Sequence, residues 1–349
     1  MAEAREIARK TLKVVDIISE TADTKSFVLQ CREGKIEYKA GQFLTLVFIK
    51  NSGEEARRSY SISSSPELDE PITITVKRIA NGEYSRYLND KLGIGDKLQT
   101  IGASGFFVLP EQPEKYRRII FMAAGSGITP VYALIKTILK RHPSLSVLLV
   151  YSNSNRQNAI FANQLSDLHS KYSDRLSIEF LFSRSANAFS SRLTPESLEM
   201  FMLMHRISYD DDLFYVCGPS DYMGMITYRL ATLGVDAGRI KKEIFHIQHP
   251  KVRPEPPDTK AHTVRLMRNG ERFAFNVQYP LTILQAAKML NIHIPYSCET
   301  GQCGTCVAKC LQGTVWMAQN EVLLDEEIMN GSVLTCTGYP VYGDITLKL

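Results

Sequence analysis

Four cysteines near the C-terminal end constrain this chain more than any other feature. Cys298, Cys303 and Cys306 are separated by four and two residues, and Cys336 follows after 29 more. C-x4-C-x2-C with a distant fourth cysteine is a spacing that holds a [2Fe–2S] cluster, three thiolates clasping it on one short loop and the last closing it. Gly301 and Gly304 let the backbone approach closely and aim N–H groups at sulfur, and Thr300 and Thr305 offer hydroxyl donors. The alternative is a structural zinc site of four cysteines, although such sites usually pair C-x2-C units across a turn. Cys310 falls on an expected strand over 305–311 and reads as a buried structural cysteine. Cys31 and Cys217 stand alone. The odd count of seven, with no apolar core in the opening MAEAREIARK, argues for ligands over a disulfide framework.

The chain has 349 residues, enough for two or three domains. Its 41 Lys+Arg against 37 Asp+Glu, evenly spread, leave a net charge of +4, too mild for a nucleic-acid footprint. The longest apolar runs, 119–125 and 146–151, are strand-sized, so no membrane span is expected. A soluble, cytoplasmic protein is the reading.

From residue 11 to about 112, β-type runs at 12–18, 25–29, 42–49 and 72–78 alternate with turn residues, predicting a small antiparallel β-barrel. A helix over 85–91 follows the Asn81-Gly82 turn. From 115 the rhythm becomes strand–helix: strands at 118–123, 146–151, 176–182 and 212–216, and helices at 130–141, 159–172 and 220–233. That is the pattern of a doubly wound parallel α/β sheet. HPKVRPEPPDT at 249–259 reads as a stiff linker. Beyond it, 262–266 and 272–277 flank Asn269-Gly270, a hairpin signal, before a helix at 282–290. The expected division is 1–112, 113–248, a linker at 249–260, and 261–349.

Two further motifs carry chemistry. Arg58-Ser59-Tyr60-Ser61, at the start of an expected strand, offers a cation for a pyrophosphate, a ring to stack on a flavin and a hydroxyl for a ring nitrogen. So short a match is equally an amphipathic strand with an exposed arginine. Gly82-Glu83-Tyr84-Ser85 opens a helix whose free N–H groups favour phosphate, and Val76-Lys77-Arg78 precedes it. In the second region, Gly125-Ser126-Gly127-Ile128-Thr129-Pro130 joins a strand to a helix, with Thr129 expected as N-cap and Pro130 as the first helical residue. Cys217-Gly218-Pro219 is a second strand-to-helix turn.

These motifs, in this order, resemble the ferredoxin–NADP reductase superfamily, and residues 261–349 resemble a plant-type ferredoxin domain of β-grasp-like α+β fold. The nearest resemblance is to reductase components of bacterial oxygenases, the phenylacetyl-CoA epoxidase reductases and ferredoxin-tailed, flavohaemoglobin-type reductases among them. The resemblance implies FAD rather than FMN, with Arg58 on the pyrophosphate, Tyr60 stacked on the isoalloxazine, Ser61 near N5, and Val76, Lys77, Gly82 and Ser85 around the phosphates. It implies a nicotinamide site at Gly125, Gly127, Thr129, Pro130 and Gly218, with Cys217 beside the nicotinamide and Phe245 near the flavin. Ser183, Arg184 and Arg192 then suit the 2′-phosphate of NADPH, although a solvated loop explains the same arginines and leaves NADH open. Cys298, Cys303, Cys306 and Cys336 become the cluster ligands. Electrons would pass from NAD(P)H through FAD and the cluster to a protein acceptor such as an oxygenase component. Relatives often carry a basic residue after the first ligand, whereas this chain has Glu299, whose charge is expected to disfavour reduction. In residues 261–349 six Lys and Arg nearly balance seven Asp and Glu, as suits a domain tethered to its donor.

Overall fold

The computed structural model describes residues 9–50, 52–185, 191–245, 254–268 and 270–349. His246, residues 249–253 of the expected linker, and Asn269 lie outside the described residues. The chain divides into two compact units, one spanning Lys10–His246 and one built on Ile247–Leu349.

The first unit opens with β1 (Lys10–Thr21), β2 (Thr24–Cys31), β3 (Phe43–Ile49), β4 (Glu55–Ser61), β5 (Thr73–Lys77), α1 (Glu83–Lys91) and β6 (Lys97–Ser104). The strands run antiparallel in the order β4-β3-β6-β1-β2-β5, and a bridge from Ile62 to Ile74 joins the end of β4 to β5. That bridge curls the sheet shut. Residues of period two, among them Leu12, Val14, Phe27, Leu29, Leu44, Leu46, Ile74 and Val76, fill the interior with Leu88 of α1. Each such side chain contributes roughly 1.5–3 kcal/mol by leaving water.

The parallel sheet follows as β7 (Arg118–Ala124), α2 (Ile128–Arg141), β8 (Ser146–Asn153), α3 (Ala162–Lys171), β9 (Leu176–Phe182), α4 (Pro195–Met204), β10 (Asp212–Cys217), α5 (Ser220–Thr232) and β11 (Ile240–Glu243). Its order is β11-β10-β7-β8-β9. Odd-numbered residues of β7 face a core with α2 and α3, and Ile120 and Met122 face one with α4 and α5. Burial on both faces explains why β7, β8 and β10 read as continuous apolar runs. The order reverses between β7 and β10, which is where such sheets open a binding crevice at the strand carboxyl ends. Ala40 and Phe107 of the barrel region belong to the same core as α2, and Ser65 hydrogen-bonds Thr137 of α2 (2.7 Å). Barrel and sheet are thereby held as one body.

The second unit comprises β12 (His262–Arg268), β13 (Glu271–Val277), α6 (Ile283–Met289), β14 (Val307–Met317), α7 (Asp325–Met329), β15 (Ser332–Leu334) and β16 (Gly338–Lys348). The order is β13-β12-β16-β14-β15, with β12 and β16 parallel. Thr282 and Gln285 cap α6 reciprocally. Asp258, in the proline-rich stretch, accepts hydrogen bonds from the Tyr342 and Lys260 backbones and pairs with His262 at 2.8 Å.

Candidate functional site

Arg58, Tyr60 and Ser61 lie at the end of β4, not at its start, because pairing with β3 already begins at Ile49–Glu55 and runs to Phe43–Ser61. The Arg58 guanidinium sits 4.8 Å from the centre of the Tyr84 ring, so β4 and the first turn of α1 present one surface. Gly82 is the N-cap of α1 with no side-chain cap, and a Cβ there would meet Ser85 Oγ at 2.4 Å. Ser85 Oγ accepts from the Ile79 N–H (3.2 Å) and donates to the Gly82 carbonyl (3.2 Å). The Tyr84 hydroxyl is buried without a hydrogen-bond partner, a polar atom that a bound group beside Arg58 would satisfy. Val76 is different from what its place in the motif suggested. Its side chain is sealed in the barrel core, and its carbonyl accepts from Asn89 Nδ2 of α1 at 3.2 Å. Lys77 pairs with Asp23 at 3.4 Å.

At the crevice, Gly125–Gly127 forms a 3-10 turn leading directly into α2, and the N-cap is Gly127. Thr129 and Pro130 are therefore each two positions deeper in the first turn than expected, and both are buried. The glycine turn feeds the helix without a break, and Pro130 remains where its missing N–H does no harm. No side chain caps this helix; its first N–H, that of Ile128, donates to the carbonyls of Gly125 and Ser126, so the glycine turn itself closes the helix start. A Cβ on Gly127 would meet the Cys217 carbonyl at 2.2 Å, whereas Gly125, at φ +55°, has open space beside it. Gly218 packs against the Ala124 side chain, with 3.0 Å between an added Cβ and that of Ala124. The two turns thus close on each other and leave a gap above Gly125.

Cys217 is fully buried at the end of β10, opposite Ala123 of β7 and Glu243 of β11. Burial pushes its thiol well up, and the neighbouring Glu243 adds to this. The sequence motif points to the aromatic Phe245, whereas two residues before it the structure points to Glu243. It is the residue that connects the domains: Ser61 Oγ of the barrel donates to Glu243 Oε1 at 3.0 Å. Burial pushes this carboxyl up to about 8, partly opposed by the Ser61 hydroxyl, and its Oε2 is buried without a partner. The only hint in the sequence was an acid ending a strand just before Ile244-Phe245. Phe245 itself is largely exposed.

Ser183 and Arg184 prolong the β8–β9 pairing, their backbone N–H groups donating to the carbonyls of Asn153 (2.9 Å) and Ser154 (3.1 Å). Both side chains are exposed at the carboxyl end of β9, as is Arg192 before α4. Arg156, at the turn after β8, lies 5.8 Å from the Phe180 ring.

In the second unit, antiparallel pairing of β15 with β14, Leu334 opposite Val307, delivers Cys336 to the cysteine loop. The Thr335 backbone and hydroxyl both donate to the Cys306 carbonyl (3.2 and 3.0 Å). Thiols of Cys298 and Cys303, Cys298 and Cys336, and Cys306 and Cys336 interact. Among the described residues no three metal-binding side chains gather around one point. The four thiols are neighbours in the order Cys303, Cys298, Cys336 and Cys306, and four thiolate donors are what a [2Fe–2S] cluster would need. Backbone N–H groups of Cys298 and Thr300 aim at the sulfurs of Cys303 (3.5 Å) and Cys298 (3.4 Å), and the Thr305 hydroxyl lies 3.4 Å from Cys303 Sγ. Gly301 takes φ +79°, and a Cβ there would strike the Gln319 carbonyl at 2.6 Å, so the loop demands glycine. Glu299 is not the bare charge that its position suggested. Both its oxygens bind Lys288 Nζ at 3.1 Å, which also sits 4.3 Å over the Tyr296 ring. Cys310 is half-exposed and not buried. It stands where the β14–β16 register shifts, and its thiol donates to the Gln312 carbonyl at 3.4 Å.

Comparison with known proteins agrees with this layout. Residues 10–109 match the oxidoreductase FAD-binding domain, 121–227 the oxidoreductase NAD-binding domain and 266–341 the 2Fe-2S iron-sulfur cluster binding domain. The chain is 32% identical to a component of the 1,2-phenylacetyl-CoA epoxidase of Escherichia coli, covering 97% of this chain and 96% of that protein. It is 31% identical to the ferredoxin reductase component of 3-ketosteroid-9-alpha-monooxygenase from Rhodococcus rhodochrous, with the same coverage of 97% and 96%. The solved structure of phthalate dioxygenase reductase shares the fold over 97% of each chain, with a TM-score of 0.59 at 22% identity. With flavin, nucleotide and cluster domains in the same order along nearly its whole length, the chain belongs to the family of NAD(P)H-dependent FAD and [2Fe–2S] oxidoreductases that serve as reductase components of oxygenases.

Proposed function

We propose that this reductase draws on NADPH in preference to NADH and delivers electrons to an iron-containing oxygenase component, with a phenylacetyl-CoA epoxidase oxygenase as the first acceptor to test. When bound, FAD supplies acceptance of a hydride and release of electrons one at a time, and the cluster relays single electrons. The residues of the chain do the rest. Arg58, with its guanidinium over Tyr84, and the uncapped start of α1 at Gly82 hold the flavin phosphates. Tyr60 stacks on the ring system. Gly125, Gly127 and the turn they form at the start of α2 hold the dinucleotide phosphates. Cys217, buried at the floor of the crevice, excludes water beneath the nicotinamide. Cys298, Cys303, Cys306 and Cys336 hold the cluster.

The observation that carries this reading is the Ser61–Glu243 hydrogen bond of 3.0 Å across the barrel–sheet junction. A buried carboxyl, which burial makes hold its proton more tightly than usual, thus stands beside the hydroxyl expected at the flavin ring nitrogen. Ser61 Oγ and Glu243 thus hold a proton where hydride chemistry consumes or releases one. Support for NADPH comes from Ser183 and Arg184, exposed at the end of β9. Support for an oxygenase acceptor comes from the relatives, each of which is part of an oxygenase system. A cytoplasmic setting fits the cysteines, all of them free.

The test is Cys298→Ser in the FAD-loaded protein. Reduction of the flavin by NADPH should persist while electron delivery to the oxygenase is lost. Full oxygenase turnover with this variant would overturn the relay and favour a flavin that reduces acceptors directly. Arg184→Ala should raise KM for NADPH at least tenfold and leave that for NADH unchanged; equal effects would remove the NADPH assignment.

A further inference from the structure

Asn153 ends β8 and pairs with Phe182, the last residue of β9. It stands at the carboxyl edge of the parallel sheet. On one side is the Gly125–Gly127 turn after β7, and on the other Ser183, whose N–H donates to the Asn153 carbonyl (2.9 Å). Adjacent strands lie about 4.8 Å apart, so Asn153 is midway along a track of roughly 10 Å from the glycine turn to Ser183 and Arg184. Its main chain is engaged, and its side chain has the Tyr151 hydroxyl as its neighbour. Nδ2 is buried with no hydrogen-bond partner. The Tyr151 hydroxyl is close by and donates to the Gly125 carbonyl at 3.0 Å, which fixes the ring against the turn.

An unpaired buried amide is destabilising by about 1–3 kcal/mol, so its persistence calls for a partner. The other orphaned side-chain atoms show where partners belong. Among the described residues these are the Tyr84 hydroxyl, Ser152 Oγ, Arg229 Nε and Glu243 Oε2. Tyr84 lies against Arg58, and Glu243 against Ser61. Ser152, next to Asn153, faces the Tyr222 hydroxyl, which donates to the Ala123 carbonyl at 3.3 Å. Only Arg229, paired with Glu199 on the outer helices, is remote from a candidate site. Unmet polar atoms thus concentrate at the strand ends where cofactors belong.

We infer that Asn153 binds the nucleotide, its Nδ2 donating to an oxygen of the ribose–diphosphate segment of NAD(P)H as the dinucleotide runs from the Cys217 crevice past Gly125 toward Arg184. The inference rests on the reading of the Gly125 turn as the nucleotide site. The segment is common to NADH and NADPH, so Asn153 acts on affinity for both, whereas Arg184 acts on the choice between them.

The experiment uses the oxidised protein carrying FAD and cluster, titrated separately with NAD+ and NADP+ and followed by flavin difference spectra. Thermal unfolding without nucleotide is measured alongside. Asn153→Leu keeps the side-chain size and deletes the unmet donor. The dissociation constants for both nucleotides should rise about tenfold, the scale of one hydrogen bond, while the nucleotide-free Tm stays level or rises. A residue that merely supports the strand would lower Tm and binding together, and that result would overturn the inference, as would unchanged dissociation constants. Asn153→Ala serves the same purpose if leucine prevents folding. Gly125→Ala separates the two layers of argument, since its methyl enters the open space beside the turn. If it weakens binding while Asn153→Leu does not, Asn153 alone is excluded. If neither variant weakens binding, the glycine turn is not the nucleotide site.

Discussion

Replacing Glu243 by glutamine should abolish a pH dependence of stability that the wild-type protein carries at its domain junction. Burial pushes the Glu243 carboxyl up to about 8, against 4.5 for the free group, and the Ser61 hydroxyl offsets this only in part. Between those pH values the native state holds one proton more than the unfolded chain. Stability therefore falls as pH rises through the window, and the loss is complete above about pH 8. At about 1.4 kcal/mol per pH unit the window amounts to about 5 kcal/mol. Glutamine preserves the shape and an Oε1 that accepts the Ser61 bond, but it does not titrate. Urea unfolding of the nucleotide-free holoprotein at pH 5 to 9, followed by flavin fluorescence, should show the wild type losing several kcal/mol relative to Glu243→Gln as pH rises. Parallel profiles would refute the assignment of a buried, proton-holding carboxyl.

Two other perturbations probe the remaining sites. Arg58→Ala removes a charge-assisted contact of about 1.5–3 kcal/mol, so FAD should dissociate roughly ten- to a hundredfold more readily; equilibrium dialysis with undiminished retention would contradict the phosphate role. In the ferredoxin unit, Lys288→Met removes the ion pair of Glu299 beside Cys298 and should lower the cluster potential, whereas Glu299→Gln should raise it and the double variant should return near the wild type. The pair is partly exposed, so shifts of a few tens of millivolts are expected, on a scale where about 59 mV is a tenfold change for one electron. Redox titrations that move in one direction for both single variants would contradict the compensation.

Local chemistry was what the sequence displayed best. Cys298, Cys303 and Cys306 announce themselves because three ligands on one loop must be closely spaced, and β7, β8 and β10 because strands buried on both faces need continuous apolar runs. The elements that escaped notice lack such runs. β11 has two lysines in four residues, β6 is largely polar, and the start of α4 is marked only by the Thr194–Ser197 capping box. The cap of α2 shifted because a Gly-Ser-Gly turn can itself be helical, so Thr129 lost a role that its type favours. Val76 shows the limit of motif transfer, since the pleat turned its side chain into the barrel. Glu243 was hidden for a deeper reason. Its partner Ser61 is 182 residues away, and only the packing of barrel on sheet makes it a buried acid.

The central claim is that hydride enters at the first unit and single electrons leave through the second. Anaerobic visible spectra of the holoprotein before and after addition of NADPH test it most directly. The flavin bands and the red-brown cluster absorption should both bleach, the flavin first. Flavin bleaching with the cluster absorption unchanged would contradict it.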